Sequence, residues 1–169
     1  MVLTMNLSTF TAIHTALGVV ALLSGVVVLI GLLRSQRCPL ATLLYFVTAI
    51  ATSVTGFGFP NKTFTPAETV GVISLVLLGI AVLARYSYAF AGSARWLYVL
   101  GVTLSLYLLF FVLVAQAFSK IAALSVLAPT QSEPPFAIAQ GVLLVVSVAI
   151  TVLAVRKFHP KIGYSAQRG

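Results

Sequence analysis

The chain reads as an all-α integral membrane protein, a bundle of five transmembrane helices with the N-terminus outside and the C-terminus cytoplasmic. Three observations predict it. Five apolar runs follow one another with short breaks, each about long enough to cross a hydrocarbon core of roughly 30 Å at about 1.5 Å per residue. Charged residues make up 7% of the sequence, against about 25% in a soluble domain whose surface water must solvate. Those few charges sit at the ends of the runs and never in their middle. No stretch is long or polar enough to form a separate soluble domain, so residues 1–169 are read as one unit.

The first span, about 11–33, holds no formal charge and is closed by Arg34 and Arg37. His14, Gly18, Ala21 and Gly25 share one narrow sector of it, at i, i+4, i+7 and i+11. Small residues let a neighbouring backbone approach closely, so this side should face other helices. The second span, about 40–59, follows Cys38-Pro39, proline being tolerated in a first helical turn. The third, about 66–84, opens with Thr65-Pro66-Ala67-Glu68, a capping box with proline at the first helical position. Glu68, Gly71, Leu75 and Gly79 form a second small-residue face on it, expected to pack on that of the first span.

The fourth span, about 95–118, starts after Ser93, a candidate N-cap. Residues 119–135 then form a loop in which 121–128 is read as a short interfacial helix. The fifth span, about 136–155, follows Glu133-Pro134-Pro135 and ends at Arg156-Lys157.

Positive charge sets the orientation. Arg34, Arg37, Arg85, Arg95, Arg156, Lys157, Lys161 and Arg168 fall on one side of this topology. Lys62, Lys120 and both acids, Glu68 and Glu133, fall on the other. The positive-inside rule puts the first group in the cytoplasm. Tyr86, Tyr88, Phe90, Trp96 and Tyr98 are expected to mark the inner interface, and Phe57, Phe59, Phe64, Phe118 and Phe136 the outer one. The first ten residues hold no Lys or Arg, so the first helix is expected to be retained and not cleaved as a leader.

Two stretches, Thr52-Ser53-Val54-Thr55-Gly56-Phe57-Gly58-Phe59-Pro60 and Ala128-Pro129-Thr130-Gln131-Ser132-Glu133-Pro134-Pro135-Phe136, together with the first helix, resemble a group of small bacterial multi-span inner-membrane proteins of unassigned activity. The resemblance implies a bacterial inner-membrane location. It brings no catalytic residues.

Polar side chains collect near the outer ends of the spans. They are His14; Thr48, Thr52, Ser53 and Thr55 on the second helix; Glu68; Gln116; Gln131 and Glu133 in the loop; and Gln140. Tyr107, one turn after Thr103, lies deeper. Read as a site, they line an outward-facing polar pocket for a lipid, a quinone-like molecule or a partner subunit. Read locally, the hydroxyls bond their own helix carbonyls, Glu68 and Glu133 serve helix starts, and His14 bonds Gln140 or a threonine.

Metal binding needs three or four ligands, and only Glu68 and Glu133 could join His14. A bis-histidine haem is excluded, because His159 lies a bilayer away from His14. Cys38 is the single cysteine, which rules out an intramolecular disulfide, and the sequence names no cofactor. No basic patch with interleaved aromatics occurs, which argues against nucleic acid. No acid or base lies at mid-membrane, which disfavours ion-coupled transport. Two alternatives to a binding module stay open: an enzyme using His14 with Glu68 or Glu133, and a passive oligomeric pore.

The topology places Cys38 on the cytoplasmic side. A membrane-impermeant maleimide should leave it unlabelled in intact spheroplasts and label it after lysis; equal labelling in both reverses the orientation.

Overall fold

A computed structural model describes residues 6–60 and 65–160. The described residues form six helices: α1 (Leu7–Leu33), α2 (Pro39–Gly56), α3 (Pro66–Tyr86), α4 (Ala94–Lys120), the short α5 (Ala122–Leu127) and α6 (Pro134–Lys157). No strand occurs among the described residues. All but α5 are long and apolar enough to cross a membrane, as hydropathy predicts. Lys62, Phe64, Lys161 and Arg168 lie outside the described residues.

Local chemistry explains where the helix ends depart from the expected ones. α1 starts a turn early because the Asn6 side chain accepts the Ser8 amide at 3.3 Å. α2 stops at Gly56, and the Gly58 amide turns back onto the Thr55 carbonyl at 3.0 Å. α3 carries the expected capping box: the Glu68 amide donates to Thr65 Oγ1 at 3.3 Å and the Thr65 amide to Glu68 Oε2 at 2.5 Å. Ser93 occupies the N-cap position of α4 but makes no capping hydrogen bond, its backbone already being helical at φ −69°, ψ −17°. Ile121, extended at φ −89°, ψ 115°, breaks α4 from α5, so the short helix is separate from the span.

The long helices run alternately up and down, and α4 is the hub, lying against α1, α3, α5 and α6. Neighbours around the bundle follow the order α1, α2, α3, α4, α6 and back to α1. The small face of α1 therefore meets α2, and the expected pairing with the small face of α3 is not formed. A Cβ on Gly18 would lie 3.7 Å from Thr52, and one on Gly25 would lie 2.6 Å from Leu106 and 2.9 Å from the Tyr45 ring. Gly71 of α3 instead meets Phe57, and Gly79 has nothing within 4 Å. Adjacency is decided by the short turn from α1 to α2, which leaves α3 on the far side of α2.

Burial is uneven along the bundle axis. One end carries Arg34, Arg37, Arg85, Arg95, Arg156 and Lys157, and is called the basic end below. Nearly the whole core lies in that half: Ala21, Val28, Leu32, Tyr45, Phe46, Ala49, Leu78, Ala81, Ala84, Phe90, Tyr98, Val99, Val102, Leu106, Ala154 and Phe158. Tyr45 is fully buried and its hydroxyl donates to Ser105 Oγ of α4 at 2.7 Å. The Ser105 proton in turn is directed to the Gly101 carbonyl at 2.6 Å. A hydrogen bond of this kind between membrane helices contributes about 0.6–2 kcal/mol.

The aromatic residues near the basic end divide. Tyr86, Tyr88 and Trp96 are exposed, as an interfacial belt requires. Phe90 and Tyr98 are buried and form, with Phe158, a cluster of edge and tilted contacts at 5.0–5.6 Å. At the other end Phe118 is likewise buried, edge-on to Phe136 at 5.4 Å. These residues pack the protein interior and do not face a headgroup layer.

α3 and α4 approach closely at Gly101. A Cβ on Gly101 would sit 2.7 Å from the Leu77 carbonyl oxygen and 2.8 Å from the Ala81 Cβ. Backbone cannot swing aside as a side chain does, so Gly101→Ala should destabilise the protein by about 1–3 kcal/mol. Gly79→Ala should be tolerated. Thermal unfolding in detergent measures both, and equal melting temperatures for the two variants would show that the α3–α4 contact is looser.

Candidate functional site

At the end of the bundle away from the basic cluster, His14 lies two turns into α1 and is half-buried. Its Nδ1 stands 2.8 Å from Thr55 Oγ1 of α2. The Thr55 hydroxyl is also 2.7 Å from the Ala51 carbonyl, which can only accept. The single hydroxyl proton therefore belongs to Ala51, and His14 Nδ1–H donates to Thr55. That leaves Nε2 as the ring's lone-pair acceptor. No described residue hydrogen-bonds Nε2, and it is not enclosed. The ring stands edge-on to Phe59 at 5.2 Å, and Phe59 in turn meets Phe10 at 5.0 Å.

The other threonines of α2 turn inward upon their own helix. Thr48 donates to the Leu44 carbonyl at 2.7 Å and Thr52 to the Thr48 carbonyl at 2.8 Å. Such back-bonding satisfies a hydroxyl where no water is present. Ser53 is half-buried on the side facing α3, where its carbonyl lies 3.6 Å from the position of a Cβ on Gly71.

A second polar group is built on α4. Gln140 of α6 donates through Nε2 to the Phe111 carbonyl at 3.1 Å, and Gln131 donates to the Ala115 carbonyl at 2.9 Å. Phe111 and Ala115 are one turn apart, so two amides from different elements fasten to one face of α4. Gln131 is held there in the left-handed region, at φ +59°. Gln140 Oε1 is buried with no partner among the described residues. Tyr107 places its ring 6.2 Å from that of Phe111. Gln116 points out of the bundle and is exposed.

Both carboxylates serve turns. Glu68 closes the capping box, also accepting from Thr65 Oγ1 at 3.0 Å. Glu133 stands at the N-cap position of α6 but makes no side-chain bond to that helix. Its oxygens accept from the Thr130 hydroxyl at 2.8 Å and from the Thr130 and Ser132 amides at 3.2 and 3.1 Å. Desolvation pushes this carboxyl up, but those hydrogen bonds outweigh it and hold it below the usual carboxylate range.

The candidates therefore form two separate groups. His14 and Thr55 touch; Gln131, Gln140 and Tyr107 gather around Phe111 and Ala115 of α4; Glu68 and Glu133 are used locally. Neither carboxylate is a hydrogen-bond partner of His14. No set of three His, Cys, Asp or Glu side chains able to hold a metal occurs among the described residues. His159 lies at the basic end, its amide bonded to Ser35 Oγ at 2.8 Å.

Phe59 and Phe10, the aromatic wall of the histidine, are parts of the site that a search for polar residues passes over. The spacing of Thr55 and Phe59, four residues apart, was the available signal. An open apolar groove of about 410 Å³ also runs between α1 and α2, lined by Val20, Leu23, Ser24, Val27, Leu40, Ala41 and Leu44. No protein family, no curated protein and no solved structure matches this chain.

The orphaned Gln140 carbonyl supplies a test of the α4 group. Gln140→Met removes one hydrogen bond and one unpaired buried acceptor together, so stability should change by less than about 1 kcal/mol. A loss of about 2 kcal/mol or more in thermal unfolding would show that the amide oxygen has a partner of its own.

Proposed function

We propose that the protein is a non-catalytic membrane module that binds a lipid or quinone-like amphipath at the His14 end, with the basic end facing the cytoplasm of a bacterial inner membrane. One observation carries the reading. His14 is fixed by Thr55 through Nδ1 while Nε2, a good acceptor, has no partner among the described residues. A ligand hydroxyl would donate to Nε2, and its planar head would lie against Phe59 and Phe10. The groove between α1 and α2 lies nearer the basic end, lined on α2 by Leu40, Ala41 and Leu44, and would take the tail of a molecule whose head is at His14. An apolar cleft with a few fixed polar groups suits such a molecule.

The catalytic alternative gains less support, because the nearest acid–base partners by sequence, Glu68 and Glu133, are hydrogen-bonded in their own turns. The orientation rests on the arginine and lysine bias between the two ends. The bacterial location rests on the resemblance of the two stretches given above.

Native mass spectrometry of protein extracted in mild detergent tests the reading. Wild-type protein should carry a bound molecule of lipid or quinone size. His14→Gln should keep the fold, because its amide donates to Thr55, yet lose the adduct, because its oxygen does not occupy the position of Nε2. His14→Ala should lose both the adduct and some stability. An adduct retained by both variants removes His14 from any site, and recovery of a polypeptide in its place identifies a partner subunit.

A further inference from the structure

The basic residues of the basic end are used in two different ways. Those on α3 and α4 are engaged inside the fold. Arg85 donates through Nη1 to the Arg37 carbonyl at 3.3 Å and to the Tyr98 hydroxyl at 3.2 Å. The rings of Tyr86, Phe90 and Tyr98 lie 5.6–5.7 Å from its Cζ. Arg95 donates to the Val155 and Phe158 carbonyls at 3.0 and 2.8 Å, and so caps the end of α6. Arg37 stands over the Phe90 ring at 5.3 Å. Arg34, Arg156 and Lys157 differ. They are exposed, and their side chains make no hydrogen bond, ion pair or ring contact with any described residue.

The fold brings these three to one edge. α1 and α6 are neighbours in the bundle. The His159 amide donates to Ser35 Oγ at 2.8 Å, which ties the exit of α6 to the exit of α1. Phe158, between Lys157 and His159, is fully buried against Phe90 and Tyr98, so the end of α6 is anchored. Arg34 is the C-cap of α1, and Arg156 and Lys157 stand in the last turn of α6.

No described acid answers that charge. The two helix C-termini contribute roughly half a negative charge each, against three full positive charges. Glu68 is in the first turn of α3 and Glu133 precedes α6, both at the other end. The 24 residues of α6 separate Glu133 from Lys157 by about 36 Å, at about 1.5 Å per residue. Screening at physiological salt acts over about 8 Å, so the acids are out of reach. Helix ends of a membrane-spanning bundle lie at headgroup depth, where anionic lipids supply negative charge. A phosphate there fits both side-chain types, as a fork partner for guanidinium and a point charge for ammonium.

We propose that the α1–α6 junction, through Arg34, Arg156 and Lys157, is a docking surface for the phosphate of an anionic lipid. Such lipids then gather on one side of the basic end and not evenly around it. The surface is at the opposite end of the bundle from His14 and does not depend on the ligand proposed there.

Trp96, the single tryptophan, follows Arg95 on α4 and is 41% exposed at this end, so it reports on lipid at the exit of α6. The full chain is reconstituted in vesicles of phosphatidylcholine mixed with phosphatidylglycerol, one of the two brominated near its headgroup. Brominated phosphatidylglycerol should quench Trp96 preferentially, and the preference should weaken as salt is raised. Arg34→Gln and Lys157→Gln should each lower it about fivefold. Neither side chain is bonded to a described residue, so both variants should fold as the wild type does. With Arg34, Arg156 and Lys157 all changed to Gln, the two lipids should quench equally, although Arg37, Arg85 and Arg95 keep their charges. Equal quenching by the two lipids in the wild type overturns the surface. A triple variant that keeps most of the wild-type preference does so too, because the remaining arginines then attract the lipid.

Discussion

Hydrocarbon offers no hydrogen bonds, so every polar atom carried into it must find a partner in the chain. The hydroxyls within the spans show how the requirement is met. Ser24, Thr48, Thr52, Thr55, Thr103, Ser105 and Thr151 each donate to a carbonyl one turn back on the same helix. Once a hydroxyl is satisfied this way, its oxygen can still accept. Tyr45 uses Ser105 in that manner and His14 uses Thr55. These two links between helices are thus second bonds, laid on hydroxyls already secured by their own backbone.

That arrangement explains what the sequence reveals and what it conceals. The spans are legible because hydropathy over about 20 residues is a property of each run by itself. The start of α3 is legible for the same reason, since Thr65 and Glu68 complete their box within four residues. Helix adjacency is a property of pairs. The small faces of α1 and α3 look complementary in sequence, yet Gly25 receives Tyr45 and Leu106. Nothing in the spacing of either face encodes that α2 lies between them. The inward turn of Phe90 depends on two consecutive left-handed residues, neither of which is glycine. An interfacial aromatic is what such a sequence normally means.

The polar candidates follow the same division. Glu68 behaves as its neighbours dictate. His14 finds a threonine hydroxyl, one of the partners its depth allows, although which threonine depends on how α1 is rotated against α2. Gln131 and Gln140 look from sequence like companions of His14 and instead grip α4, because the loop after α5 carries them onto its Phe111–Ala115 face. Depth in the membrane is readable from position in a span. The azimuth of a side chain around its helix is readable only relative to a known neighbour.

The short connection between α1 and α2 bears on how the protein is made. Cys38 and Ser35 are left-handed, and the Gln36 amide folds back onto the Gly31 carbonyl at 2.8 Å, so the two helices leave the turn as a closed hairpin. Thr55, Phe59 and Phe10, the residues that fix His14, all belong to this hairpin and its immediate continuation. During synthesis the residues that hold the histidine ring have therefore all emerged within the first sixty, before α4 exists to close the bundle. The basic end is assembled on the opposite schedule: Phe90 is enclosed only when Phe158, at the end of α6, arrives. The contacts at one end of this protein are local in sequence, and those at the other join residues nearly seventy positions apart.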